Sequence, residues 1–251
     1  MVMHITSRAN PNVKRWKALA LQAQRSLDHT LVWIEGEHVV QEAQRAGLHL
    51  VDLIRCDGSN AARNNATHLV TPEVMAALTQ LETAPDIAAV LRVPLPSAAP
   101  IASDCLVLDR VQDPGNVGTM LRTAWAFGVR HALLTTGCAS PWSSKAIRAG
   151  QGAQFWLGVR EHVDASDFPQ LLSAPLITTS LNSSDAIQAV DLRKPCAFVF
   201  GHEGQGVSAQ INQQARNQVR IPMPGGAESL NVAAACAICL YEQYRQRALI
   251  D

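Results

Sequence analysis

The chain has 251 residues, 47% of them hydrophobic and 17% charged, and its 21 basic side chains are matched by 21 acidic ones. Such a length holds one large domain or two modest ones with enough apolar sequence for a core, and the composition excludes a disordered or collagen-like chain. A formal net charge of zero argues against a broad, non-specific polyanion binder, while leaving room for a local basic patch.

The longest apolar stretch, Leu230 to Leu240, is broken by small and polar residues and falls short of the roughly 20 residues a membrane span needs. The start, Met1-Val2-Met3-His4-Ile5, lacks the basic flank and apolar block of a secretory signal, so a cytoplasmic protein without membrane contact is expected.

In chain order, Asn10 suits an N-cap and Pro11 the first helical position, which predicts a helix there. Val13, Trp16, Leu19, Ala20 and Ala23 form its apolar side, and Lys14, Arg15 and Lys17 crowd the rest of its first turns. That basic start, with Trp16 beside it, reads equally as an RNA-binding surface, gripping backbone and stacking a base, or as a solvated helix face. An apolar run from Leu31 to Ile34 ends at a Glu35-Gly36 turn, and a helix from Glu37 to Ala46 stops at Gly47. Strands follow at Leu48 to Ile54 and Ile87 to Val93, with a short helix at Pro72 to Leu78 between them. Residues 1–94 therefore read as a small α/β domain. Pro94, Pro96 and Pro100 exclude regular structure from the next stretch, which makes residues 95–103 a linker.

Residues 104–251 alternate apolar strands with helices. The strands fall at Leu106 to Leu108, Val129 to Leu134, Leu176 to Thr179, Ala197 to Phe200 and Val219 to Ile221. Near-continuous apolar strands separated by helices predict a parallel sheet covered on both faces, with ligands outside the carboxyl ends of its strands. Of the cysteines Cys56, Cys105, Cys138, Cys196, Cys236 and Cys239, only the last two are close. That pair lies inside an apolar helical run with no second pair to complete a metal set, so buried reduced thiols are expected. His38 and His202 read as structural or loop-packing residues, no metal spacing surrounds them, and no metal is expected.

Three segments concentrate unusual residues where the strands end. In Leu108-Asp109-Arg110-Val111-Gln112-Asp113-Pro114-Gly115-Asn116-Val117-Gly118, a strand meets a Pro-Gly turn, Asn116 is placed to cap a helix running to Phe127, and Arg122 follows two turns later. Neither dinucleotide nor P-loop spacing is present. In Phe200-Gly201-His202-Glu203-Gly204-Gln205-Gly206, three glycines free the backbone to approach a ligand, with Glu203 among them. In Ile221-Pro222-Met223-Pro224-Gly225-Gly226-Ala227-Glu228-Ser229-Leu230-Asn231, a Pro-Gly loop leads into an Ala-rich helix. Its start would present backbone N–H groups and two short polar side chains.

Taken together, DPGNVGTMLRTAWAFG, FVFGHEGQGVS and IPMPGGAESLNVAAACAICLYE resemble, in order and spacing, the three signature motifs of the SpoU family of SPOUT methyltransferases. The resemblance runs from about Cys105 to Tyr244. The stretch IEGEHVVQEAQRAG is more loosely similar to the substrate-binding domain often fused ahead of such enzymes. The resemblance implies a C-terminal trefoil-knotted, parallel-sheet methyltransferase domain preceded by a small α/β RNA-binding domain, acting as a homodimer with S-adenosylmethionine. It implies transfer of a methyl group to a ribose 2′-hydroxyl, and the two-domain layout favours ribosomal over transfer RNA as substrate. By motif position it assigns Gly201, Ile221, Leu230, Met223 and Leu181 to the cofactor pocket, and Asn116, Arg122, Glu203, Ser229 and Asn231 to the reactive end. Two departures touch none of these: Ala233 stands where serine is common, and Gly150-Gln151 replaces a frequent Ala-Ser or Ser-Ala pair.

The family role suggested for Arg122 is assistance in deprotonation. A guanidinium stays protonated in nearly any protein setting. The expected role is therefore to hold an adjacent phosphate and stabilise the developing alkoxide, with Asn116 and Ser229 positioning it and the ribose. A base methyltransferase on the same fold would be expected to lack the Asn116–Arg122 pair and the Ser-Leu-Asn entry. A non-catalytic RNA-binding protein would be free to lose Arg122 or the glycine loop. A nucleotide-binding oxidoreductase would need the glycine-rich turn that is missing after the first strand.

Overall fold

The computed structural model describes residues 2–21, 30–58, 66–79, 81–93 and 95–248; Ala23 and Pro94, used above, lie outside these. The first part runs β1 (Met3–Ile5), α1 (Pro11–Ala20), β2 (Leu31–Glu35), α2 (Glu37–Arg45), β3 (Leu50–Cys56), β4 (His68–Val70), α3 (Pro72–Leu78) and β5 (Ile87–Arg92). Its described strands form a sheet in the order β1-β4-β3-β5-β2. β5 is antiparallel to both of its neighbours, while β1, β4 and β3 run parallel.

Local chemistry sets these elements. Asn10 caps α1 by accepting from the Asn12 N–H at 2.9 Å, with Pro11 behind it. Thr71 caps α3, and Gly47 turns the chain after α2 at a φ of 71°. Trp16 is a correction to the basic-helix reading. It is fully buried, and its indole N–H donates to the Asp52 carboxylate at 2.9 Å, so it offers no stacking platform. The helical period explains this, because Val13, Trp16 and Ala20 form the inward stripe of α1. Arg15 is drawn to the same carboxylate at 2.5 Å.

The second part runs β6 (Cys105–Asp109), α4 (Pro114–Ala126), β7 (His131–Thr135), α5 (Ser144–Gly150), β8 (Gly158–Val163), α6 (Phe168–Leu171), β9 (Leu176–Thr179), β10 (Ala197–Gly201), α7 (Ala209–Asn212), β11 (Asn217–Val219) and α8 (Val232–Ala248). The sheet order is β11-β9-β10-β6-β7-β8, and every pairing is parallel. The chain lays β6, β7 and β8 in one direction, then crosses to build β9, β10 and β11 on the other side. The order reverses between β6 and β10, where Gly201 pairs with Asp109. A crevice for ligand opens at the carboxyl ends of strands that diverge in this way.

One apolar cluster spans both parts. Val39, Val40 and Ala43 of α2 share it with Trp142, Ile147 and Phe155 of the second part. Within this contact the buried Glu35 carboxylate accepts from Arg148 at 3.0 Å, and Glu42 accepts from the Trp156 indole at 3.3 Å. The stretch after residue 94 packs rather than dangles: Ile101 is buried and bridges to Leu172, and the Ala99 carbonyl accepts from Arg160.

α4 and α5 meet at Gly118, where a methyl group would fall inside van der Waals contact with the Ala146 carbonyl and within 2.8 Å of the Ala149 side chain. The obstacles include fixed helix backbone, so the helices would have to separate. Gly118→Ala should therefore destabilise the protein by about 1–3 kcal/mol in chemical denaturation, the range for forced overpacking, despite alanine's better helix propensity. A variant as stable as the parent would contradict this packing.

Candidate active site

The crevice is built where three connections meet. Leaving β6, the chain reaches Asp113, whose carboxylate accepts from the Asn116 N–H at 3.0 Å and caps α4, with Pro114 at the first helical position. This corrects the expectation that Asn116 is the cap. The helix begins earlier, Asn116 sits within its first turn, and its side chain is free for tertiary bonds.

Those bonds join all three segments. The Asn116 Nδ2 group donates to Glu203 Oε1 at 3.0 Å, and Asn116 Oδ1 accepts from Asn231 Nδ2 at 3.1 Å. Asn231 Oδ1 in turn accepts from the backbone N–H groups of Ala233 and Ala234, at 2.9 and 3.3 Å, at the entry to α8. The backbone N–H groups of Gln112 and Asp113 also point at the Glu203 carboxylate, each at 3.4 Å. Burial pushes the Glu203 pKa up, but the hydrogen bonds from Asn116 and the backbone outweigh it and hold the carboxyl below its ordinary value.

The glycine loop after β10 folds on itself. His202 Nδ1 accepts from the Gly204 and Gln205 N–H groups at 3.0 and 3.3 Å, the loop-packing role expected of it. Gly206 closes the turn at a φ of 68° and donates back to the His202 carbonyl at 2.8 Å. A methyl group on Gly201 would lie inside contact with the Gly206 carbonyl carbon and the Val207 nitrogen. Only glycine lets these two stretches of backbone touch.

The loops enclose a cleft of about 620 Å³, within the range of small-molecule sites. Gly201, Ile221, Met223, Leu230 and Leu181 line it, as do Glu203, Ser229 and Asn231. The strand expected over Val219 to Ile221 ends at Val219, which releases Ile221 to the cleft wall. Asn116 stands behind the lining, connected through Glu203 and Asn231. Arg122 stands apart from the other predicted residues. It lies six residues further along α4, about 9 Å down the axis at 1.5 Å per residue. It is exposed, outside the lining, and makes no hydrogen bond or ion pair among the described residues. Lys14 and Lys17 are exposed on α1 and are likewise not in the lining. Cys236 and Cys239 are buried free thiols, and burial pushes the Cys239 pKa up to about 12. Sequence reasoning passed over Asp113, although an Asp-Pro pair ahead of a helix signals a cap. It also passed over the buried Asp109, which reads there only as the end of an apolar run.

This sequence and this fold have counterparts among known proteins. The model of the SpoU rRNA methylase family matches residues 104–241, and that of the MRM3-like substrate-binding domain matches residues 10–89. The chain belongs to the SpoU rRNA methylase family. It is 33% identical over 243 residues to the 23S rRNA (guanosine(2553)-2′-O)-methyltransferase RlmP of Bacillus subtilis, covering 94% of this chain and 97% of that one. It is 35% identical over 145 residues to the 23S rRNA (guanosine-2′-O-)-methyltransferase RlmB of Coxiella burnetii, covering 57% of this chain and 58% of the relative. Among solved structures, an RNA 2′-O ribose methyltransferase superposes with a TM-score of 0.81 at 30% identity, covering 98% of this chain and 100% of the other. An AdoMet-bound rRNA methyltransferase from Sinorhizobium meliloti gives 0.82 at 27% identity, covering 97% and 98%.

Asn231 carries two separable duties, and one substitution divides them. Asn231→Asp keeps the oxygen that caps α8, adds a charge favourable at a helix start, and removes the donor to Asn116. Thermal unfolding should match or exceed the parent, while methyl transfer should fall at least about tenfold, the cost of one lost hydrogen bond to a polar partner in a preorganised site. Parental turnover in this variant would show that the Asn116–Asn231 link is dispensable.

Proposed function

We propose that this chain, as a homodimer, transfers a methyl group from S-adenosylmethionine to a ribose 2′-hydroxyl of 23S ribosomal RNA, and that the crevice between β6 and β10 is where it does so. The observation that carries this reading is the chain Glu203–Asn116–Asn231, whose two ends line a glycine-walled cleft. The names of RlmP and RlmB, both 23S rRNA guanosine 2′-O-methyltransferases, support the choice of substrate.

The cleft suits the cofactor. Its volume fits a nucleoside carrying an amino-acid arm, Leu181, Ile221, Met223 and Leu230 supply apolar surface, and the close approach of Gly201 to Gly206 leaves backbone polar groups within reach of a ligand. When bound, S-adenosylmethionine supplies a methyl group already activated by the sulfonium charge, so the protein's task is orientation and charge stabilisation. Asn116 and Asn231 hold the Ser229 segment in place, and the Ser229 hydroxyl, which lines the cleft, orients the ribose. Glu203 keeps the β6–α4 turn and the glycine loop in register, and the hydrogen bonds it accepts hold its carboxyl below its ordinary value. As the methyl–sulfur bond gives way to the new C–O bond, the sulfur keeping the electron pair, the proton leaves the 2′-hydroxyl to water or phosphate, and a guanidinium stabilises the charge developing on the oxygen.

That guanidinium is Arg122, and its position argues for the dimer. α4 and α8 lie side by side: Asn116 bonds Asn231 at one end, and Phe127 meets Tyr241 and Tyr244 at 6.2 and 6.1 Å between ring centroids at the other. The outer side of α8 exposes Ile238, Tyr241 and Tyr244, an apolar stripe at helical spacing. A second copy on this stripe covers it and carries its Arg122 to the other protomer's cleft. The trefoil crossing belongs to the same proposal. After β11, at the sheet edge, the chain must return past β9 and β10 to begin α8 beside α4. Lys14 and Lys17 are the proposed RNA-backbone contacts of the first part, Arg15 being engaged with Asp52.

Labelled S-adenosylmethionine incubated with ribosomal and transfer RNA from cells lacking the protein tests the reaction. Label should appear as a 2′-O-methyl nucleoside in 23S rRNA; label on a base, or in transfer RNA, would refute the substrate assignment. Mixing inactive variants tests the dimer. Arg122→Ala should bind cofactor and not turn over, and so should Asn231→Ala. If Arg122 acts across the interface, mixed dimers concentrate both lesions in one site and leave the other intact, so activity returns. No recovery in verified mixed dimers would place Arg122 in its own protomer's site.

A further inference from the structure

Beside the proposed reactive residues lies an ion pair, its carboxylate buried and its guanidinium part-exposed, with no part in the chemistry above. Asp109 ends β6 with its carboxylate sealed from solvent, the side chain 4% exposed. It accepts from the Ser208 N–H at 2.7 Å, from the Thr135 hydroxyl at 3.2 Å and from Arg110 Nε at 3.3 Å. Arg110, the next residue, stands at a φ of 57°, a conformation that side-chain-bearing residues rarely adopt. Its guanidinium turns back over the glycine loop: Nη1 donates to Gln205 Oε1 at 3.0 Å and Nη2 to the Gly206 carbonyl at 3.4 Å. The Arg110 N–H is held by the Thr135 hydroxyl at 3.0 Å. Two adjacent residues at the end of β6 therefore grip the second half of the loop at Gln205, Gly206 and Ser208. This is the half that a chain of three glycines would otherwise leave loosest.

We propose that Asp109 and Arg110 are positioning residues that latch the loop Gly201–Ser208 into its binding shape before cofactor arrives. The backbone argument favours this over a merely structural pair. A left-handed residue at a strand end is strained, and such strain persists where surrounding contacts over-determine it. Here the guanidinium contacts of Arg110 all run to the loop or to Asp109, while its N–H is held by Thr135. The purpose is pre-organisation: a loop already ordered in the free protein spares the ligand the entropy of ordering it. The cofactor part of this inference rests on the cleft assignment made under the proposed function.

Arg110→Gly is the decisive variant. Glycine adopts the positive φ without penalty, so the turn and the core should fold as before while the latch arm is gone. Amide exchange in the ligand-free protein should quicken roughly tenfold at residues 203–208 and remain unchanged in the β6 and β10 strands, the change equivalent to one lost charge-assisted hydrogen bond. The dissociation constant for S-adenosylhomocysteine, the probe used, should rise by about the same factor. Gln205→Ala, an exposed position that does not endanger folding, should act in the same direction, and the double variant should be no worse than Arg110→Gly alone.

Parental loop exchange in both variants would overturn the latch. So would a rise in KM for RNA with loop exchange and cofactor affinity unmoved, which would make Arg110 an RNA contact. A separate control isolates the cleft assignment: S-adenosylhomocysteine should slow exchange at residues 201–207 of the unmodified protein. Failure there, with the variants still loosening the loop, would remove the cofactor reading and keep the latch.

Discussion

Three side chains from three distant parts of the sequence meet in a relay whose polarity is fixed by chemistry. A carboxylate only accepts, so Glu203 obliges Asn116 to present its amide nitrogen. The Asn116 oxygen then faces Asn231, which must answer with its own nitrogen, and this leaves the Asn231 oxygen to the first N–H groups of α8. Each amide has one orientation that satisfies both neighbours. The glycine loop, the start of α4 and the start of α8 are thereby held at one relative position, and much of the crevice depends on it. Loss of the Glu203 charge would reverse the demand at the head of the relay, and hydrogen bonds that favour the ionised form guard against that.

Around the relay the backbone is arranged for close approach. Gly201 touches Gly206 and Val207, Gly118 lets α4 sit on α5, and His202 ties the loop across its own turn. These contacts put the carboxyl ends of β6 and β10 at the centre of the second sheet, where the strand order reverses. The two parts of the chain are also joined firmly. The Glu35 carboxylate is buried beside the apolar cluster that runs from α2 to Ile147, and its pairing with the part-exposed Arg148 penalises a separation that would strand the buried charge.

Much of this was legible in the sequence, for reasons that differ by element. The central strands of the second sheet announced themselves as apolar runs because both faces are buried, and α3 and the end of α2 were marked by Thr71-Pro72 and Gly47. β8 was missed because it is a sheet-edge strand whose middle is the polar run Arg160-Glu161-His162, and β1 and β4 because three residues hold no period. The site residues came from motif order, and the cleft gathers most of them. Position within a helix was less legible. Asn116 looked like a cap because a cap and a tertiary donor use the same amide, and only the fold shows that Asp113 has taken the first duty. Trp16 was legible both ways: its lysine and arginine neighbours suggested a surface, while the helical period put it on the apolar side, and the fold turns it inward to Asp52.

The sequence pattern placed Arg122 with the reactive residues, and geometry within one chain does not. Every other member of the set is tied down or lines the cleft, while Arg122 projects to solvent from a helix whose neighbour, α8, displays an uncovered apolar stripe. A cation that must meet phosphate and a developing alkoxide gains from being free of carboxylates, since a resident partner would have to be displaced first. Its lack of partners among the described residues fits a group held ready for RNA, and the exposed stripe on the neighbouring α8 fits delivery from a second copy. On that reading the two observations have one cause. The same association that covers Ile238, Tyr241 and Tyr244 completes the charge of the site, so an isolated protomer would bind cofactor in its own loops and lack the group that stabilises the transferring oxygen.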